Sequence, residues 1–281
     1  MKLLFLGSGS AFTVGDNFQS NLLLIDDRDN KLLLDCGSDI RWSLHAQGFS
    51  YKDITDIYIS HLHSDHVGGL EYIGFNTKFD PHCIRPRLYI SKDLAGEIWD
   101  NTLSGGMRSI QGNVTDLHTF FDVCEIPHRG YFMWSGIWFQ LVRVIHVDTG
   151  YFVMPSYGLF FQVQGTKVFL TTDTQLHLAT LEKFYAQADI IFQDCETSRI
   201  PTPVHAHYRN LLQLPQKYKQ KMWLYGYQPG EIPDATADGF LGFVKPGQVF
   251  EFPRESSDVQ RFVRDGEGEM GRWGDGEMGN L

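Results

Sequence analysis

The 281-residue chain has four cysteines, Cys36, Cys83, Cys124 and Cys195, and no CxxC pair among them. Scattered thiols of this kind fit a reducing compartment better than a disulfide framework, most of them serving as small core residues. Long apolar runs are also missing. Nothing approaches the roughly 18 apolar residues of a membrane span, and the apolar run after Lys2 is only four residues long, too short for a signal peptide. A soluble, cytoplasmic protein with no membrane partner is the expectation. Positive charge is in short supply too: 24 Lys and Arg against 34 Asp and Glu leave a net charge of −10. Binding along a nucleic-acid backbone draws most of its strength from neutralised phosphates, so long nucleic acid is not an expected partner, whereas a small anionic substrate remains compatible. Finally, "GSGSAF" lacks the third glycine of a dinucleotide fingerprint and leads into a strand instead of a helix; a tight turn beside a site is the better reading.

What is present begins with apolar residues, 42% of the chain, enough for one large domain over residues 1–250. Residues 251–281 differ in kind. They carry the repeated G-[ED]-G-E-M-G pattern, an acidic Gly/Glu-rich tail that reads as a flexible linker, with a docking peptide through Met270, Trp273 and Met278 as the alternative. Within the domain, "LLFLG", "NLLLID" and "KLLLDCG" read as successive buried strands. "SDIRWSLHAQG", "VGGLEYIGFNTKF", "KDLAGEIWDNTL", "ATLEKFYAQA" and "HYRNLLQLPQKYKQ" read as helices, and "YGLFFQVQGTKVFLTTDT" as a hairpin turning at Gln164-Gly165. Strand clusters alternating with helices in two halves suggest an α/β protein of two packed sheets with helices outside.

The most informative stretch is "HLHSDH" at residues 61–66. With this chain's own share of His and Asp, an HxHxDH would arise by chance about once in a thousand such sequences, so it is a specific signal. It stands where the strand "ITDIYIS" runs into a loop. Two histidines spaced by one residue at a strand end present both imidazoles to one side, and the Asp-His pair that follows can face a second ion. The motif alone leaves open whether one ion is held or two.

Residues 1 to about 250 resemble the metallo-β-lactamase superfamily, and most closely its ribonuclease Z-like phosphodiesterase branch. The segments that carry the resemblance are "FLGSGSAF", "LLLDCG", "HLHSDHVGGLE", "IHVDTG", "LTTDT" and "PVHAHY". The resemblance implies a four-layer αββα sandwich. It also implies a first metal site of His61, His63, His146 and Asp173, and a second of Asp65, His66 and the shared Asp173. By the same token His205 in "VHAHY" acts on the scissile phosphate, and Asp65 is expected to be catalytic as well as a ligand. Asp35 and Asp194 match carboxylates that orient metal-bound histidines, a solvated strand end being the rival reading for each. One departure stands out. The further histidine that should complete the second site, in a pattern such as "LYHYQ", is Gly226 in "LYGYQ". Three outcomes follow: water completes the site, a neighbour such as His207, Tyr225 or Tyr227 substitutes, or the second ion binds weakly; a close-packed strand glycine is the rival reading, and a Gly226→His variant tests whether a second ion is gained.

The resulting expectation is a metal-dependent hydrolase, a phosphodiesterase on a small nucleotide or other phosphodiester, with one or two divalent ions. Zinc is the default for so His-rich a donor set, with manganese or iron as alternatives. Hydrolysis of a carboxyl ester or lactone is the nearest alternative chemistry; a degenerate metal- or nucleotide-binding protein is the alternative from another class. A homodimer has precedent among related enzymes, although this sequence leaves oligomeric state open. His45, His82, His118, His128 and His177 match no metal spacing, and Arg85, Arg87 and Arg108 are candidates to hold an anion.

Overall fold

Short apolar runs separated by glycine and polar turns become strands that are buried on both faces, as in the fully buried "KLLL" and "DIYI" segments. The computed structural model describes residues 1–127 and 129–252. Two seven-stranded sheets form the centre. In spatial order the first is β16 (Val249–Glu251), β1 (Lys2–Phe5), β2 (Leu22–Ile25), β3 (Lys31–Leu34), β4 (Asp56–Ile59), β5 (Arg87–Ser91) and β8 (Asp122–Ile126). The second is β15 (Gly242–Phe243), β14 (Met222–Tyr225), β13 (Ile190–Asp194), β12 (Thr166–Leu170), β11 (Val153–Val163), β10 (Ile137–Asp148) and β9 (Tyr131–Trp134). A small ribbon, β6 (Ser109–Ile110) and β7 (Asn113–Val114), stands apart.

Each sheet begins antiparallel and turns parallel. β1, β2 and β3 pair antiparallel before β3, β4, β5 and β8 run parallel. β9 to β12 are likewise antiparallel and β12 to β15 parallel. Parallel pairing needs crossovers, and most helices supply or flank them: α1 (Ile40–Ala46), α2 (Ser64–Val67), α3 (Leu70–Phe79), α4 (Lys92–Glu97), α5 (Ser104–Met107) and α6 (Leu117–Phe120) in the first half, α7 (Leu178–Gln187), α8 (Tyr208–Leu211) and α9 (Gln216–Lys219) in the second.

The four layers can be read from alternate residues of single strands. Phe161, Leu170 and Phe192 point into the core shared by both sheets, where the Phe5 ring lies 5.3 Å from that of Phe192. Their neighbours Phe160, Phe169 and Ile191 pack outward with Leu181, Phe184 and Tyr185 of α7. Period-two alternation thus feeds an inner and an outer core from one sheet. Burying each such ring contributes about 1.5–3 kcal/mol. Ile40 and Leu44 of α1 and Ile73 of α3 cover the other sheet, giving the αββα metallo-β-lactamase sandwich.

Local details differ from expectation. The segment read as one helix over "HYRNLLQLPQKYKQ" is two, because Pro215 lacks the N–H that a continuous helix would need. The helix from Lys92 loosens into a π-helical turn at Ile98–Leu103, and "SGGM" beyond it is helical. The hairpin does turn at Gln164 and Gly165, both at positive φ. β16 continues through Glu251, whose partner is Lys2, and Phe252 is buried. The tail reading from 253 onward lies outside the described residues. Among the described residues, no helix is long and apolar enough to cross a membrane.

Candidate metal centre

The carboxyl ends of the parallel strands of both sheets deliver the candidate side chains, the place where layered α/β folds gather ligands. Asp35 follows β3, Ser60 and His61 follow β4, Asp173 follows β12, and Asp194 ends β13. Two of these ends are strained. Asp35 has φ +64° and Thr172, the residue before Asp173, has φ +54°. A β-branched residue in the left-handed region costs on the order of 1–3 kcal/mol, so surrounding packing must hold Thr172 there; its neighbour Asp173 is thereby aimed. His146 sits at an irregularity in β10, where the pairing register with β11 shifts between Ile145 and Val147. A bulge re-aims one side chain, here an imidazole.

His61 Nε2 lies 3.1 Å from His63 Nδ1, and His146 Nε2 lies 3.0 Å from the same atom. Asp173 Oδ2 stands 3.8 Å from His61 Nε2 and 3.7 Å from His146 Nε2. A tetrahedral ion at about 2.0–2.1 Å from each donor would space the donors by roughly 3.4 Å. The four separations above, 3.0–3.8 Å, bracket that value. Burial holds the imidazoles of His61 and His63 below their usual pKa, which keeps their lone pairs available. His146 Nδ1 faces the Val204 carbonyl at 2.9 Å; donating there fixes the tautomer that turns Nε2 to the cluster.

A second group shares Asp173. His66 Nε2 is 3.1 Å from Asp65 Oδ2 and 3.3 Å from Asp173 Oδ2, yet it is buried and aligned for a hydrogen bond with neither. A buried nitrogen without a hydrogen-bond partner, set between two carboxylates, is placed to serve as a metal donor. Burial alone would lower the His66 pKa, but the charges of Asp173, Asp65 and Asp35 outweigh it, so without an ion this imidazole is held protonated. Asp35 reaches both groups. It accepts from His66 Nδ1 at 2.7 Å and from the Ser60 amide and hydroxyl at 2.8 and 2.7 Å, while Ser60 Oγ lies 3.0 Å from His61 Nδ1. Sequence reasoning did not single out Ser60; its signal was its position immediately before the HxH pair.

His205 borders both groups without joining them. Its Nδ1 donates to Asp194 Oδ2 at 2.9 Å and lies 3.9 Å from Asp173 Oδ2. Burial opposes its charge, but Asp194 pushes its pKa up to about 10. The site therefore presents an imidazolium held by a carboxylate. Asp35 and Asp194 are buried, not solvated strand ends, and only Asp35 orients one of the expected metal ligands. The residues present suit a divalent metal in at least the first position.

A family model described as Anti-Pycsar protein Apyc1 matches residues 1–250. The chain belongs to that family. The Anti-Pycsar protein Apyc1 of Paenibacillus harenae is 30% identical over 253 residues, covering 89% of this chain and 100% of that one. Among solved structures, the metallo-beta-lactamase fold protein YhfI from Bacillus subtilis superposes with a TM-score of 0.67 at 16% identity, covering 89% of this chain and 98% of its own. The short form of human tRNase Z gives 0.66 at 17%, covering 90% and 100%. At these identities the two structures speak for the fold, which this Apyc1 family chain shares with the ribonuclease Z-like branch.

The Gly226 departure can be followed in detail. None of the three neighbours named from the sequence, His207, Tyr225 and Tyr227, offers a free donor in place of the expected histidine. His207 has both ring nitrogens engaged, Nε2 donating to the Ser198 carbonyl and Nδ1 accepting from the Arg209 amide. Tyr225 is fully buried against Phe5, and the Tyr227 hydroxyl is taken up by Ser8 and the Val244 carbonyl. Gly226 itself has φ +79°, and a Cβ there would stand 2.8 Å from Asp194 Oδ1. Restoring a histidine by Gly226→His, as the sequence suggested, therefore collides with a carboxylate that His205 and the Thr174 amide hold in place. The "GSGS" loop packs beside this strand end, Gly226 N–H donating to the Ser8 carbonyl and Ser10 N–H to that of Tyr227.

The arginine candidates do not reach the centre. Arg87 opens β5 opposite Asp56, the first residue of β4, at the end of the strand away from His61, and its Nε pairs with Asp56 at 3.0 Å. Arg85 donates to the His118 carbonyl, and Arg108 is exposed with no ion pair among the described residues. His45, His82, His118 and His177 are all exposed, while His128 lies outside the described residues.

Proposed function

We propose that this protein is a metal-dependent phosphodiesterase acting on a small phosphodiester, a cyclic nucleotide being the leading substrate class. The observation that carries the reading is the convergence of two donor groups on Asp173 beside the His205 imidazolium. His61, His63, His146 and Asp173 would hold the first ion, zinc by preference, and Asp65, His66 and Asp173 the second. A divalent ion so held supplies positive charge for the phosphoryl oxygens and acidifies water at neutral pH.

The protein's own residues do the rest. Asp194 occupies His205 Nδ1, so Nε2 is the nitrogen left to meet substrate. In hydrolysis a water that has given up a proton to solvent bonds through its oxygen to phosphorus as the ester P–O bond breaks, and His205 gives its proton to the departing oxygen. The sheet-end packing fixes Asp173 and keeps bulk water from one side of the centre. The net charge of −10 and the lack of a basic insertion support a small substrate over long RNA.

The family membership supports a hydrolytic enzyme. Gly226 favours one second reading, a protein that binds metal and nucleotide without full turnover. Hydrolysis of bis-p-nitrophenyl phosphate and of a panel of cyclic nucleotides separates them: metal-loaded protein should cleave a diester, and His61→Ala should abolish cleavage. Absence of turnover on every diester by protein shown to hold metal would reject the phosphodiesterase reading.

A further inference from the structure

Between β13 and α8 the chain runs as an open loop that carries two groups the centre uses. The Val204 carbonyl faces His146 Nδ1 at 2.9 Å, and His205 Nδ1 donates to Asp194 Oδ2 at 2.9 Å. Neither helix nor strand forms over residues 197–205, and among the described residues no backbone–backbone hydrogen bond joins two residues of that stretch. A segment without backbone bonds of its own is ordered by side chains.

Glu196, at the start of the loop, supplies one. It is 1% exposed, and no cation pairs with it among the described residues. Its Oε1 accepts from the Ser198 hydroxyl at 2.6 Å, and the Thr202 amide donates to Oε1 at 3.1 Å and to Oε2 at 2.9 Å. Its backbone closes the stem, the Glu196 N–H donating to the Ala206 carbonyl at 3.0 Å and the Glu196 carbonyl accepting from the Tyr208 N–H at 2.9 Å. The sequence that meets the carboxylate is Pro201-Thr202-Pro203. Proline has no N–H, so Thr202 carries the only amide donor of the three, and Pro203 disfavours a helical turn there. Burying a carboxylate without a counter-charge costs free energy that a neutral residue would not incur. Hydrogen bonds alone offset it here, and both side-chain partners lie in the loop that ends at Val204 and His205.

We propose that Glu196 is a positioning residue: through Ser198 and Thr202 it sets the loop that aims the Val204 carbonyl at His146 and seats His205 beside Asp194. It belongs to neither donor group. Its effect reaches the first group because a carbonyl behind a ligating histidine fixes the ring, and it reaches turnover because a small displacement of a proton donor is enough to lower the rate. The effect on turnover rests on the phosphodiesterase reading; the orientation of His146 does not.

The test compares the full natural chain with Glu196→Ala and with Glu196→Gln, which keeps the shape and one oxygen to accept from Thr202. Counted per folded, zinc-loaded molecule, Glu196→Ala should lower kcat on bis-p-nitrophenyl phosphate by about 10–100-fold with KM within about twofold. Zinc at the His61, His63, His146 and Asp173 group should weaken by about tenfold. In metal-free protein carrying isotope-labelled histidine, the His146 Nδ1 proton should exchange faster with solvent. Glu196→Gln should recover the natural values to within about threefold. A role confined to stability would shift the denaturation midpoint and leave all three readouts unchanged per folded molecule, which would overturn the proposal. Glu196→Gln as impaired as Glu196→Ala would overturn it too, because charge and not placement would then be at work. If Glu196→Ala does not fold, Ser198→Ala, which removes one donor from a part-exposed side chain, takes its place. A fall in kcat of about threefold or more with faster His146 proton exchange then supports the proposal, and natural values in both overturn it. If the zinc-loaded natural chain cleaves no diester, the phosphodiesterase reading fails, while zinc affinity and proton exchange still decide the role of Glu196.

Discussion

Three of the six candidate metal ligands of this centre, His61, His63 and Asp173, lie on loops after short strands, Asp65 and His66 lie on the one-turn helix α2, and His146 lies at a bulge, yet the centre's two halves are built to different completeness. The first draws on both sheets: His61 and His63 from the first, His146 and Asp173 from the second. The second draws Asp65 and His66 from α2, directly after that loop, but among the described residues its one donor from the other sheet is the borrowed Asp173. The motif "HLHSDH" is thus symmetrical in what it offers, and the far sheet is not. A short motif announces a site; the opposite sheet decides how much of it closes.

Asp173 is where the comparison breaks most completely. Asp173→Asn removes the carboxylate common to both halves and should lower turnover by on the order of a thousandfold or more, with ion content falling at both positions. Elemental analysis beside diester kinetics checks this; retention of two ions would show that the groups are independent. His205→Gln is next. His205 borders the shared Asp173 at 3.9 Å without belonging to either half, and its loss should reduce kcat by about 10²–10⁴-fold while leaving ion content unchanged. Its titration is a separate check on metal-free protein. The His205 pKa, raised to about 10 by Asp194, lies above the ordinary value of about 6.5. The stabilisation from this pair is therefore complete below about pH 6.5 and lost as pH rises through about 10. NMR of the labelled imidazole should show its proton retained across neutral pH; loss near pH 6.5 would remove the proposed proton donor.

Asp35→Asn sharpens the comparison instead of breaking it. Asparagine tolerates the left-handed backbone at this position, so the substitution isolates the charge. Asp35 meets His66 directly and His61 only through Ser60. Metal affinity should fall about 10–100-fold, the usual cost of losing a carboxylate behind a ligating histidine, and more at the second position than at the first. Equal loss at both would mean that Ser60 transmits the charge as well as direct contact does.

Much of the fold was legible because the apolar runs are short, continuous and separated by turn residues, which is how strands buried on both faces appear in sequence. Helix boundaries were less so. Pro215 splits a segment whose apolar spacing looks continuous, and the π-helical turn after Glu97 follows helix-forming residues that give no sign of it. At the centre, spacing singled out only His61, His63, Asp65 and His66; His146, Asp173 and His205 came from the family resemblance. The arginines failed because spacing says nothing about which end of a strand a residue occupies. Ser60 and Thr172 were missed because their work is done by position and backbone, and an ordinary hydroxyl residue carries no mark of either. Gly226 stands where a ligand histidine was expected, with a close-packed strand glycine as the rival reading, and its tight approach to Asp194 favours the rival.

That last point yields the smallest expected effect. In Gly226→His the new Cβ would enter the left-handed region at φ +79° and press on Asp194 Oδ1. Moving Asp194 disturbs its bonds to His205 and the Thr174 amide, while leaving it in place forces the backbone to shift. Either way the variant should lose about 1–3 kcal/mol of stability, the usual cost of a side chain in a disfavoured backbone region. It should gain no tight second ion. Chemical denaturation and metal titration of the same preparation decide the matter. A variant as stable as the natural chain that binds two ions unaided would mean that the second half had lacked only a side chain, and that the strand end around Asp194 can move to admit one.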